Sequence, residues 1–161
     1  MIRPIKIHIL FLLVLFLTSC GFKPIYKTTE NNLNVQTYSV EFQNNPGYLI
    51  KSKILEMYNS SSSQSLYTIH LITNQGSTPL ITNTDGTISK YRIEVVMTFD
   101  VFKSNSENKI YSDISRGFAE YLVQTSEIET DEKRKQAIQI ATNEALQMMS
   151  IKIQSNILQS Q

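Results

Sequence analysis

The sequence predicts an α+β protein: a two-layer sandwich in which a four-stranded, mainly antiparallel sheet carries two helices packed on one face. Three observations predict it. Tyr91, Ile93, Val95, Met97, Phe99 and Val101 alternate with Arg92, Glu94, Val96, Thr98, Asp100 and Phe102, a strand with one side buried and the other wet. Turn-forming segments, Asp85-Gly86 before it and Lys103 to Asn108 after it, fold its neighbours back as hairpins. A long alanine-containing stretch ending near Ile157 repeats apolar residues at helical spacing.

The chain opens with a segment of a different kind. Arg3 and Lys6 precede an apolar run from Ile7 to Leu17 that only His8 interrupts. A basic start and an apolar run of about 7–15 residues make an export signal, too short for the roughly 20 residues of a spanning helix. It ends Leu17-Thr18-Ser19-Cys20, with small polar residues before the chain's single cysteine. That arrangement resembles the lipobox of bacterial lipoproteins, which implies an S-diacylglycerol on Cys20 and an acylated amino terminus after cleavage. The thiolate is the nucleophile such chemistry needs, and the thioether it forms is stable. A transmembrane anchor, or a buried helix holding a chance cysteine, fits the combination of charge, length and small residues less well. Residues 1–19 are thus expected to be a lipoprotein signal peptide, 20–32 an acylated tether without a periodic apolar face, and 33–161 one domain.

Within that domain Tyr38, Val40 and Phe42 alternate with Ser39 and Glu41 as a short strand over 34–42. Asn44-Asn45-Pro46 predicts a helix start with an asparagine cap, the helix running to about Tyr58 with Ile50, Ile54 and Met57 inward. Tyr67, Ile69 and Leu71 mark a second strand that continues irregularly toward Ile81, and Asp85-Gly86 predicts a type I′ turn. The last strand, 109–123, is expected to keep Ile110, Ile114, Phe118 and Leu122 in phase on one face. Gly117 within it marks a bulge or a tight contact. Ser126 and Glu129 form a capping box, with Thr130-Asp131 an equally good start. In the final helix Ala137, Ile138, Ala141, Ala145, Met148, Met149, Lys152 and Asn156 lie roughly along one side, with Ile140, Leu146, Ile151, Ile153 and Ile157 widening the stripe.

Composition narrows the function. Loss of residues 1–19 removes two of 15 basic residues, leaving 13 against 14 acidic ones, a net charge of about −1. That balance gives no basic excess of the kind nucleic-acid binders carry. The mature chain has one histidine, His70, on the polar side of its strand, where a histidine is ordinarily a rim residue. No Ser/His/Asp set, metal-ligand spacing, Walker loop or dinucleotide fingerprint is present. The acidic group Glu127, Glu129, Asp131 and Glu132 suits a helix start, where the dipole favours negative charge. The sequence therefore points away from an enzyme and toward a protein that needs neither cofactor nor metal.

The mature start Cys20-Gly21-Phe22-Lys23-Pro24-Ile25-Tyr26 resembles the amino-terminal signature of the LPS-assembly lipoprotein LptE family. The order of elements is similar too: strand, helix, hairpin-linked strands and a long closing helix, with Phe118-Ala119-Glu120-Tyr121 leading into Ala137 and Ala141. The resemblance implies anchorage in the inner leaflet of the outer membrane. It also implies a plug role inside the LptD β-barrel, help with that barrel's assembly, and delivery of lipopolysaccharide to the cell surface. An adaptor lipoprotein of another envelope complex is the alternative, and a lipid carrier with an enclosed groove a more distant one.

Recognition of lipid A phosphates would need cations presented together. Lys90 and Arg92, two apart on one strand beside the Asp85-Gly86 hairpin, are the first candidates. Lys133, Arg134 and Lys135 are the second.

Overall fold

The computed structural model describes residues 38–58, 65–104 and 106–159. Six elements follow one another: β1 (Tyr38–Phe42), α1 (Tyr48–Met57), β2 (Tyr67–Thr82), β3 (Ile88–Lys103), β4 (Lys109–Leu122) and α2 (Glu127–Gln159). The strands lie side by side in chain order, β1-β2-β3-β4. The hairpins make β2, β3 and β4 antiparallel, whereas α1 carries the chain back and sets β1 parallel to β2, Tyr38 opposite Tyr67. The expected signal, tether and Cys20 lie outside the described residues, as do the first residues of the expected opening strand.

β3 behaves as its alternation predicts. Ile93, Val95, Met97, Phe99 and Val101 are all 0 % exposed. Ala137, Ala141, Ala145, Met149 and Ile153 of α2 pack into the same cluster, and Ile50 and Ile54 of α1 join it over Val40, Ile69 and Leu71. Both helices thus share one face, the two-layer arrangement expected of a sheet with a single apolar side. Tyr58, at the end of α1, stacks edge-on against Tyr38 and shares a 2.7 Å hydrogen bond with Ser150 of α2. Burial pushes the Tyr58 phenol up to about 12, with the Ser150 bond opposing the shift.

Four expectations need correction. On β4 the covered residues are Ser115, Gly117 and Tyr121, while Ile110, Ile114, Phe118 and Leu122 are in phase on the opposite, open face. The reason is α2: a Cβ on Gly117 would lie 1.9 Å from the Ala141 carbonyl oxygen and 2.6 Å from the Ala145 nitrogen. The helix backbone comes so close that only small side chains fit beneath it, and the bulky ones go out. On α2 itself Ile140, Met148 and Ile151 are exposed, outside a stripe narrower than expected.

The N-cap of α1 is Gly47, without a side-chain bond. Asn44 serves β2 instead: its Nδ2 donates to the Thr73 carbonyl at 2.6 Å and its Oδ1 accepts from the Thr73 N–H at 3.1 Å. Asn44 thus stands in for a further residue of β1. The Asp85-Gly86 turn is longer than the two-residue type I′ form, with five residues between Thr82 and Ile88. Gly86 takes φ +85°, and the Asp85 carboxylate accepts from both the N–H and hydroxyl of Thr87. At the start of α2, Ser126 Oγ accepts from the Glu129 N–H at 3.5 Å, the first half of the expected capping box.

Candidate functional site

The face of the sheet opposite the helices has no covering layer among the described residues. Along β3 it presents Lys90, Arg92, Glu94, Val96, Thr98, Asp100 and Phe102, and the register sets each against a β4 partner. Charges there are matched across strands. Arg116 meets Glu94 at 3.1 Å, Lys109 meets Asp100 at 2.9 Å, and His70 lies 3.3 Å from Glu41. Burial would raise the Asp100 carboxyl, but bonds from Ser112 and Lys109 outweigh it and hold it below the usual range. Half-exposed Ile114 and Phe118 sit among these pairs. The surface is largely self-neutralised, with short apolar steps between the pairs.

Lys90 and Arg92 are brought together as expected. Both project from the same face, beside the β2–β3 hairpin, and both bind one carboxylate: Lys90 Nζ reaches Glu120 Oε2 at 2.5 Å, and an Arg92 terminal nitrogen reaches Oε1 at 2.8 Å. Those two bonds, the lysine's first, hold Glu120 below its ordinary carboxylate range. Two cations on one carboxylate leave one net positive charge. A shallow hollow of about 470 Å³ lies beside it, lined by Arg92, Phe118, Ala119 and Glu120. Chemically the cluster can accept one anionic oxygen group, in addition to Glu120 or in its place.

Glu120 is the member that charge counting along one strand missed. The signal for it was the register, because Arg92 stands directly opposite Glu120 once β3 and β4 are paired. The second basic group does not join the first. Arg134 and Lys135 both bind Asp131, the latter at 2.7 Å, on the first turns of α2, which lies on the other side of the sheet. Lys135 and then Arg134 lower the Asp131 carboxyl. Among the described residues no three His, Cys, Asp or Glu side chains group as a metal site, and no helix is long and apolar enough to cross a membrane.

No family model matches the chain, and no curated protein matches it at a significant level. Solved structures do resemble it. One is a protein of Caulobacter crescentus assigned as a lipoprotein, with a TM-score of 0.63 at 9 % identity over 79 % of this chain and 94 % of that one. A minor lipoprotein of Acinetobacter baumannii gives 0.52 at 14 % identity, over 76 % and 92 %. Rare lipoprotein B of Shewanella oneidensis gives 0.50 at 13 %, over 73 % and 96 %. At such identities what the chain shares with all three is the fold.

Proposed function

We propose that this protein is an outer-membrane lipoprotein, acylated at Cys20, that sits within an LptD-like β-barrel, assists its assembly and helps deliver lipopolysaccharide to the cell surface. The observation that carries the reading is the coincidence of Leu17-Thr18-Ser19-Cys20-Gly21-Phe22 with a fold also found in three lipoproteins. The open sheet face supports it. Outer-membrane barrels are polar inside, and a plug in such a lumen suits a surface whose charges are already paired. Lys90 and Arg92 are the proposed contact for lipid A phosphates, with Glu120 holding them until a stronger anion competes.

Two experiments test the parts. Depleting the chain should lower both the folded barrel in the outer membrane and lipopolysaccharide at the surface; unchanged levels of both would refute the role. A folded Lys90→Ala/Arg92→Ala variant should bind lipopolysaccharide more weakly, and equal binding would remove these residues from the contact.

A further inference from the structure

Lys90 and Arg92 have apolar neighbours that the charge pairing of the open face does not use. The register sets Ile81 of β2 on one side of Lys90 and Leu122 of β4 on the other, so the three share that face. Ile81 reaches this place because β2 takes in an extra residue at Leu80, where the pairing slips between Pro79 and Ile81. Phe118 lines the hollow beside Arg92. Ile81 is 48 % exposed, Leu122 54 % and Phe118 43 %, and no described element covers any of them. Three large hydrophobes thus surround two cations that share one carboxylate.

The two features together select an occupant. A carboxylate from an acidic peptide would only replace Glu120 by its equal. A phosphate monoester carries about −1.5 to −2 charges near neutral pH and three acceptor oxygens, so it outbids a carboxylate for both cations. A soluble phosphate would still leave Ile81, Leu122 and Phe118 wet, whereas an acylated one covers them. A single lipid also fits better than a bilayer surface. The hairpin tip beyond Ile81 is polar and exposes Asp85, and α2 opens with Glu127 and Glu129, acids that an anionic membrane repels. The hollow, about 470 Å³, has the size of a site for one small ligand.

We propose that Ile81, Leu122 and Phe118 form a subsite for the acyl chains of a single phosphorylated lipid whose phosphate sits on Lys90 and Arg92. The inference rests on the reading of those two cations as a phosphate contact. It adds the part of the surface that separates a lipid from a soluble phosphate.

The test uses the full acylated chain held in phosphatidylcholine nanodiscs, so that its own anchor is already embedded. Two probes share one phosphate monoester: dihexanoyl phosphatidic acid, kept monomeric, and glycerol phosphate, which lacks the chains. Affinities are read from the amide shifts of β3 and β4. The parent should bind the acylated probe about 10-fold more tightly. Ile81→Thr/Leu122→Thr, which keeps side chains suited to a strand, should erase that advantage and leave glycerol phosphate binding as it was. Equal affinities in the parent, or an advantage that survives both substitutions, would overturn the acyl subsite. So would a photo-crosslinking side chain at Phe118 that captures the disc's own phosphatidylcholine without a probe, the mark of a bilayer contact. The phosphate reading fails separately, if Lys90→Ala/Arg92→Ala leaves glycerol phosphate binding unchanged. If only the subsite fails, that double variant still binds both probes more weakly than the parent.

Discussion

Gly117→Ala is the sharpest perturbation the fold offers. The added methyl would lie 1.9 Å from the Ala141 carbonyl oxygen, 2.6 Å from the Ala145 nitrogen and 3.0 Å from the Ala141 carbonyl carbon. All three are helix backbone, so no side chain can swing aside. To restore ordinary contact near 3.4 Å, α2 must retreat by about 1.5 Å. A radial gap of even 0.5–1 Å forfeits a quarter to a half of the dispersion well, and Ala137, Ala141, Ala145 and Met149 all meet the sheet through this helix. Overpacking of this kind costs about 1–3 kcal/mol. Because the retreat also loosens the packing along the length of α2, we expect the upper end, about 3 kcal/mol. For a domain of this size that lowers the thermal midpoint by about 10–15 °C. Urea unfolding followed by circular dichroism reads it directly. Two controls sharpen the test. Gly76→Ala, with open space around its Cβ, should change stability by less than about 1 kcal/mol. Ala141→Gly should not rescue Gly117→Ala, because the clash is with backbone. A Gly117→Ala protein as stable as the parent would refute the close approach of α2 to β4.

Other outcomes follow from single contacts. Asn44→Ala removes both bonds to the Thr73 main chain and should destabilise by about 1–2 kcal/mol in denaturant titrations. Glu120→Gln frees Lys90 and Arg92 from their shared carboxylate, so affinity for a lipid A phosphate should rise by about 2–5-fold at low salt, read by calorimetry; a fall would show that Glu120 positions the cations. Asp113 is held down to about 2, by Tyr111 first and then Lys152. Its stabilisation is therefore complete above its unfolded value near 3.8 and lost as pH falls toward 2, so Asp113→Asn should flatten the acid stability profile in that window. The Tyr58 phenol has the opposite sign. Raised to about 12, it stabilises below pH 10 and loses that contribution as pH climbs from 10 to 12, which Tyr58→Phe should remove from the alkaline profile. Tyr111, also raised to about 12 by partial burial and Asp113, titrates in the same range, so Tyr111→Phe is its companion measurement.

The sequence carried the fold wherever side-chain volume and polarity change together. β3 was legible because each inward residue is large and apolar and most outward ones are polar. β4 defeated the same rule. Its inward residues beneath α2 are small, because a helix backbone rather than a side chain fills the space beyond Gly117, so its largest hydrophobes point outward. β2 past Thr73 was legible only as an irregular run, since neither face is covered and nothing selects an alternation. Asn44 looked like a helix cap because the cap and the strand mimic draw on the same side-chain chemistry. At the site, Lys90 and Arg92 could be paired from their spacing alone. Glu120 could not, because its place depends on a hairpin register that shifts near Phe102. Cys20 was read entirely from sequence and lies outside the described residues.

The central claim is that this chain works by occupying a partner rather than by chemistry of its own. Native purification of the acylated chain from detergent-solubilised outer membranes, with the stoichiometry read by mass spectrometry of the intact complex, tests it most directly. The account predicts an equimolar complex with a large β-barrel protein and a mature chain beginning at a lipid-bearing Cys20. A chain that emerges alone, or one whose cysteine carries a free thiol, would contradict it.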